Sequence, residues 1–155
     1  MRLSELLNEN AVSLRLKARE KREALVELVN LLESGHGFNS QGEILDRVMR
    51  RESMMTTGIG NGVAIPHGKA RSVDRMAAAV GVCPEGLEFD SEDGQPVYLL
   101  VLLVSPESAT TQHVRVLANL SRLLKEESVR KQLRESKSPE AFMAALHAAE
   151  SVFIP

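Results

Sequence analysis

Cysteine is nearly absent from this chain of 155 residues, in which Cys83 is the single example. One thiol cannot form a disulfide within the chain, and metal sites built from several cysteines are likewise excluded. Long hydrophobic runs are also absent, since the longest, VYLLVLLV at residues 97–104, is far shorter than the ~20 residues that cross a bilayer. The N-terminal segment MRLSELLNEN contains Glu5 and Glu9 and lacks the apolar core of a signal peptide. These absences predict a cytoplasmic protein that does not insert into the membrane.

Charge of one sign is not concentrated in any segment of the sequence. Lysine and arginine number 19 and aspartate and glutamate 21, which gives a net charge of −2 without a block of like charges. This balance argues against a nucleic-acid partner or an anionic membrane surface. The 43% hydrophobic content is typical of a globular protein, and the length suits about one domain around one core.

Several catalytic motifs are missing from the glycine-rich segment GNGVAIPHGKA, residues 60–70. Five residues rather than four separate Gly62 from Gly68, and Ala70 replaces the hydroxyl residue of a Walker A loop. The preceding GIGNG lacks the spacing of a dinucleotide-binding loop and follows a predicted helix rather than a strand. The sequence also lacks an H-E-x-x-H metal motif and a G-x-S-x-G nucleophile elbow. What remains is a histidine, His67, between a proline and a glycine.

Segments with helical and strand patterns alternate along the chain. Helices are predicted in KREALVELVNLLESGHG, in the segment that carries Ile44 to Met49, after a cap at Thr110 or Thr111, in ESVRKQLRE and after Ser138. Strands are predicted in VSLRL, GVAI, MAAAVGV and PVYLLVLLV, and the last indicates a central strand covered on both faces. The interleaving predicts a single-domain α/β sandwich, a sheet flanked by helices on both faces.

His67 has the chemistry of a nucleophile, although a histidine held in place for packing is the alternative. Neutral imidazole is nucleophilic near pH 7, and a hydrogen bond to one ring nitrogen fixes the orientation of the other. Pro66 restricts the backbone before His67, and Gly68 lets the chain leave sharply without crowding the ring.

Residues around His67 in the sequence could bind an anion. Gly58, Gly60 and Gly62 can expose backbone N–H groups, as phosphate-binding nests do, and Gly68 beside His67 is assigned to the same phosphate-binding support. Arg51 lies upstream, and its planar guanidinium suits a phosphoryl group because it makes two hydrogen bonds at once. His113 is predicted in the first turn of its helix, where the helix N-terminus favours an anion. Neither Arg51 nor His113 is predicted to belong to the core.

The segments RRESMMTTGIGNGVAIPHG, DGQPVYLLVLLVSP and HVRVLANLSRLL together resemble a known family. They are similar to enzyme IIA domains of the bacterial phosphoenolpyruvate:sugar phosphotransferase system, in the fructose/mannitol class that includes the nitrogen-type regulatory proteins. The resemblance covers nearly the whole chain and implies one such domain over residues 1–155, with a mixed β-sheet flanked by helices. It implies that His67 accepts a phosphoryl group from an HPr-like phosphohistidine carrier, and that Arg51 and His113 are the family's site arginine and second histidine.

The mechanism implied by the resemblance is in-line transfer between histidines, with Arg51, His113 and loop N–H groups stabilising the equatorial oxygens. Thr57 is either a loop residue or the group that holds the second nitrogen of one histidine. No cofactor, Mg²⁺ included, is expected, because there is no nucleotide to chelate and no carboxylate cluster. The alternatives are a solvated charge for Arg51 and a hydrogen bond to a neighbour for His113.

Two function classes follow from the resemblance. The first is a phosphocarrier that passes the phosphoryl group to an enzyme IIB of a fructose- or mannitol-type permease. The second is a nitrogen-type regulatory protein, which binds a protein target under the control of the phosphate, and the lack of an attached IIB domain favours it. A degenerate relative that only binds is a third possibility, against which His67, Arg51 and His113 argue together.

Overall fold

The computed structural model describes residues 1–154, which contain a mixed six-stranded β-sheet. The strand order is β1-β5-β6-β3-β2, and β4 also pairs with β6. Strand β6 is antiparallel to β5 and parallel to β3 and β4. The strands are β1 (Val12–Ser13), β2 (Gly58–Gly60), β3 (Val63–Ala64), β4 (His67–Ala70), β5 (Ala77–Leu87) and β6 (Val97–Pro106).

Six α-helices surround this sheet in the described part of the chain. All of the predicted helices are confirmed, and none of the six is both long and apolar enough to span a membrane. A short 3-10 turn, Glu9–Ala11, separates the first helix from β1. The helices are α1 (Leu3–Leu6), α2 (Lys21–His36), α3 (Glu43–Met54), α4 (Thr110–Leu124), α5 (Glu127–Arg134) and α6 (Pro139–Phe153).

The centre of the molecule is strand β6, as its apolar sequence predicts. Side chains of both faces are buried along nearly its whole length, and the same holds for most of β5. A strand buried on both faces requires cover on both sides of the sheet. The prediction of an α/β sandwich is therefore confirmed, although VSLRL contributes only the two-residue strand β1.

The helix caps are predicted only in part. Ser138 caps α6, because its Oγ accepts a hydrogen bond from the backbone N–H of Ala141 at 3.0 Å. Helix α4 begins at Thr110 and has Ala109 at the cap position without a side-chain hydrogen bond, so the predicted threonine cap is wrong. The Oγ1 atom of Thr110 instead accepts a hydrogen bond from Lys69 on β4, which links the start of α4 to the sheet.

Candidate functional site

Two histidines face each other near the C-terminal end of β6. His67 opens β4 and pairs with Leu103 of β6, while His113 lies in the first turn of α4, which follows β6 in the chain. The centroids of the two imidazole rings are 5.3 Å apart, and their planes are tilted by 60°. The fold therefore brings these two predicted site residues together although 46 positions separate them in the sequence.

Hydrogen bonding determines which nitrogen of His67 is free. Its Nδ1 lies 2.8 Å from the backbone oxygen of Ile65, and a carbonyl oxygen can only accept, so Nδ1 carries the hydrogen. Partial burial lowers the pKa of His67 below its usual value, and the charges of Arg51 and Lys69 act in the same direction. The hydrogen bond to Ile65 opposes this shift without reversing it. At pH 7 the ring is neutral, and Nε2 keeps its lone pair.

His113 is more deeply buried than its sequence position suggests. Only 4% of its surface is exposed, so the prediction that it lies outside the core is wrong. Its Nδ1 lies 2.6 Å from Oγ of Ser105, a buried residue near the end of β6. Burial, together with the charges of His67 and Lys69, lowers the pKa of His113 to about 4. This imidazole is therefore neutral at pH 7.

A cleft of about 430 Å³ opens beside the two histidines. Arg51, in the last turn of α3, lines it and donates a hydrogen bond from Nη1 to the backbone oxygen of Met55 at 2.7 Å. Its guanidinium is close enough to His67 to lower the pKa of that ring. The structure thus places the predicted arginine beside the predicted nucleophile. The cleft is lined by Arg47, Arg50, Arg51, Met54, His67, Gly68, Lys69, His113, Val114 and Leu117.

The charge of the cleft suits an anion rather than a metal cation. Lys69 adds to the arginines of α3, and Arg47 also pairs with Glu107 at 3.2 Å. Side chains alternate between the two faces of a strand, so Lys69, two residues after His67, lies on the same face of β4. This alternation is the sequence signal that indicates Lys69 as a residue of the cleft. Within residues 1–154, no three His, Cys, Asp or Glu side chains form a group that could hold a metal ion.

Gly68 is a buried strand residue, and the prediction that it lets the chain leave sharply is wrong. A Cβ atom at this position would lie 3.2 Å from the backbone nitrogen of Val48 and 3.3 Å from the carbonyl carbon of Arg47. The glycine is needed because the backbone of α3 passes so close to β4. This close approach brings the arginines of α3 to His67.

The predicted phosphate nest of Gly58, Gly60 and Gly62 does not form part of the cleft. The three glycines build the hairpin between β2 and β3, in which Gly60 and Gly62 adopt φ angles of 92° and 75°. Asp93 accepts a hydrogen bond from the backbone N–H of Asn61 at this turn, at 3.2 Å. A carboxylate at the turn disfavours an anion, and the described lining of the cleft includes none of the three glycines. The three glycines thus belong to this turn and not to the described lining of the cleft, and their assignment as phosphate ligands stays a prediction.

Thr57 contacts a carboxylate instead of a histidine. Its Oγ1 donates to one oxygen of Glu52 at 2.6 Å, and its backbone N–H donates to the other at 2.8 Å. Glu52 is buried and also pairs with Lys21 at 3.0 Å. Of the two alternatives for Thr57, the histidine partner is wrong, since Ile65 and Ser105 contact the Nδ1 atoms of the two histidines. Thr57 and Glu52 instead fix the end of α3 next to Arg51.

Acid is expected to destabilise the fold through His113. Its pKa is lowered from 6.5 to about 4 by burial first, and then by the charges of His67 and Lys69. Between these values the unfolded chain binds a proton that the folded chain does not, so the free energy of unfolding falls as the pH is lowered. This change in the pKa of His113 corresponds to a loss of roughly 3 kcal/mol in the free energy of unfolding.

Urea unfolding at pH 7 and pH 4.5 measures this loss. Wild type should lose roughly 2–3 kcal/mol more between the two pH values than His113→Asn, whose side chain does not titrate. An equal loss in both proteins would contradict the assignment, because acid would then act through other groups.

Comparison with known proteins gives a consistent set of relatives. The family model of the phosphoenolpyruvate-dependent sugar phosphotransferase system, EIIA 2, matches residues 5–149. A nitrogen regulatory protein from Bradyrhizobium diazoefficiens is 34% identical over 94% of this chain and 95% of its own. The fructose-specific EIIABC component from Bacillus subtilis is 36% identical over 92% of this chain, which spans only 22% of that longer protein.

Solved structures share the fold. The nitrogen regulatory protein IIA-Ntr from Neisseria meningitidis superposes with a TM-score of 0.86 at 33% identity, covering 92% of this chain and 97% of that one. The mannitol enzyme IIA of Escherichia coli, in its complex with phosphorylated enzyme IIB, gives a TM-score of 0.78 at 24% identity and covers 92% and 99%. At that identity the second likeness concerns the fold alone.

Proposed function

Because the chain belongs to the EIIA 2 family of the phosphoenolpyruvate-dependent sugar phosphotransferase system, and is thus a phosphotransferase component, we propose that His67 is its phosphoryl acceptor. One observation carries this proposal. The Nδ1–H of His67 is held by Ile65, which leaves the lone pair of Nε2 free beside a cationic cleft. We extend the proposal to the whole chain, with residues 1–155 as a single domain of this type.

Transfer proceeds in line between two histidines. The lone pair of Nε2 of His67 forms the new bond to phosphorus, and the donor's ring nitrogen takes the electron pair of the bond that breaks. His67 does not have to lose a proton first, because Nε2 carries none. Arg51 and Lys69 stabilise the equatorial oxygens by charge, and neutral His113 does so by hydrogen bonding. Catalysis by positioning and electrostatics is the rule for phosphoryl transfer.

The surface around the cleft suits protein partners that bind briefly. Met54 and Val114 line the cleft with exposed apolar side chains, and Met55, which is also exposed, directly follows α3. Flexible methionines adapt to differently shaped partners. We propose an HPr-like carrier as donor, and an enzyme IIB or a regulatory target as the second partner.

The nitrogen-type regulatory role is the preferred function within this family. The similarity to the Bradyrhizobium protein extends over almost the full length of both chains, and the Neisseria structure is of the same type. The sugar-specific role remains the second candidate, since the Bacillus fructose component is similarly related. Incubation with the phosphorylated general carrier and with its phosphorylated nitrogen-type paralogue separates the two. We expect faster phosphorylation by the nitrogen-type carrier, and faster transfer from the general carrier would favour the sugar-specific role.

Donor and second partner are expected to compete for one surface. Reacting atoms must approach to roughly 3–3.5 Å in each transfer step, so both proteins have to reach the same Nε2 atom. An enzyme IIB or target that cannot be phosphorylated should therefore inhibit phosphorylation by the carrier in proportion to its occupancy. Chemical-shift mapping by NMR of each complex measures the overlap. A stable ternary complex would contradict this prediction and would place the regulatory surface away from His67.

A further inference from the structure

Ser105 is a buried serine with a defined hydrogen-bond partner. It lies in β6 one residue before the strand ends, and 0% of its surface is exposed. Its Oγ is 2.6 Å from Nδ1 of His113, and no other partner of this hydroxyl occurs among residues 1–154. A buried hydroxyl whose hydrogen lacks an acceptor is unfavourable, so the hydroxyl donates to Nδ1. Nδ1 therefore carries no hydrogen.

The single hydrogen of the neutral ring must then be on Nε2. We infer that Ser105 is a positioning residue for the proposed transfer, because its hydroxyl holds His113 in the Nε2–H tautomer. The neutral state at pH 7 agrees with the lowered pKa of His113, which burial, then the charges of His67 and Lys69, bring to about 4. The tautomer rests on the structure alone, whereas its role in transfer rests on the proposed function.

The two histidines are thus in complementary states. His67 has its hydrogen on Nδ1 and a lone pair on Nε2, whereas His113 has a lone pair on Nδ1 and its hydrogen on Nε2. A ring in the opposite tautomer would direct a lone pair toward the cleft and repel the phosphoryl oxygens. The Nε2–H group instead donates a hydrogen bond to them without carrying a charge. The hydroxyl of Ser105 stabilises this tautomer through its hydrogen bond to Nδ1 of the same ring.

Nitrogen-15 NMR of the imidazole rings tests the tautomer directly. In the wild-type protein at pH 7, the chemical shifts of His113 should identify Nε2 as protonated and Nδ1 as unprotonated. Ser105→Ala removes the donor and should produce a mixture of tautomers at His113. Ser91→Ala is the matched control, because the hydroxyl of Ser91 is also buried but has no hydrogen-bond partner. It should leave the spectrum of His113 unchanged.

Phosphorylation rates test the role in transfer. Ser105→Ala should slow phosphorylation by the carrier about tenfold, the effect of one lost hydrogen bond, and Ser91→Ala should not slow it. The inference would be overturned if His113 is the Nδ1–H tautomer in wild type. It would also be overturned if Ser105→Ala changes neither the tautomer of His113 nor the rate of phosphorylation. If wild type accepts no phosphoryl group, the proposed function fails, while the wild-type spectrum still decides the tautomer. The wild-type spectrum also decides it if Ser105→Ala does not fold.

Discussion

His67→Ala is expected to accept no phosphoryl group from a phosphorylated HPr-like carrier, whereas the wild-type protein gains one. The substitution removes the nitrogen that has both a free lone pair and access to the cleft. His113 cannot replace it, because its Nδ1 accepts a hydrogen bond from Ser105 and its Nε2 carries the ring hydrogen. Intact-mass spectrometry at neutral pH should therefore show one added phosphoryl group on wild type only. The group should be lost in acid, as expected for phosphohistidine.

A second histidine variant controls for nonspecific effects. His147 is an exposed residue of α6 and is not among the residues that line the cleft, so His147→Ala should be phosphorylated at the wild-type rate. Labelling of His67→Ala, at His113 or elsewhere, would show that the nucleophile is wrongly assigned. Loss of labelling in both variants would point to a damaged fold, which circular dichroism would detect.

Arg51→Ala is expected to be phosphorylated 10²- to 10³-fold more slowly than wild type. A preorganised donor that stabilises developing charge contributes roughly 3–4 kcal/mol at most, and Arg51 is the predicted donor beside His67. The variant should stay folded, since the described contacts of this side chain include only one hydrogen bond, to the oxygen of Met55. Single-turnover kinetics with excess phosphorylated carrier measure the rate. Arg51→Lys should give an intermediate rate, because an ammonium lacks the planar fork.

The neighbouring arginine provides the matched control. Arg50 lines the same cleft, but it pairs with Asp46 at 3.0 Å and its side chain is 73% exposed. Arg50→Ala should slow transfer by no more than about threefold, the size of a surface electrostatic effect. Similar losses in both variants would show that α3 contributes only a general positive potential. Arg51 would then have no specific role.

The parts of the fold that depend on local pattern are predictable from the sequence. The apolar run of β6 requires burial on both faces of the strand, and the spacing of leucines in α2 requires burial of one face of the helix. Both requirements can be read from the local sequence. The same holds for Ser138, whose cap involves a residue three positions away. His67 is predictable because proline and glycine frame it in the chain, and Arg51 and His113 follow from the family resemblance.

Functions that depend on distant residues are not predictable in this way. The glycines of the β2–β3 hairpin fit an anion nest until Asp93, some 30 positions later, is placed against the turn. The sequence allows Thr57 to bind a histidine, but in the structure its hydroxyl donates to the buried carboxylate of Glu52. No sequence motif points to Ser105, since a serine at the end of an apolar strand becomes important only when α4 folds back over it.

The missing side chain at position 68 has a consequence for how the site can change during evolution. A methyl group there would press on the backbone of α3 and displace the helix by a few tenths of an ångström. All three arginines of the cleft would move with the helix, away from a histidine that remains on β4. A misplacement of about 1 Å can slow a reaction roughly 100-fold, so a smaller shift of the arginines should still lower the rate of transfer. Substitution of Gly68 would therefore alter the site through the packing of a helix against a strand, without changing any of its charged groups.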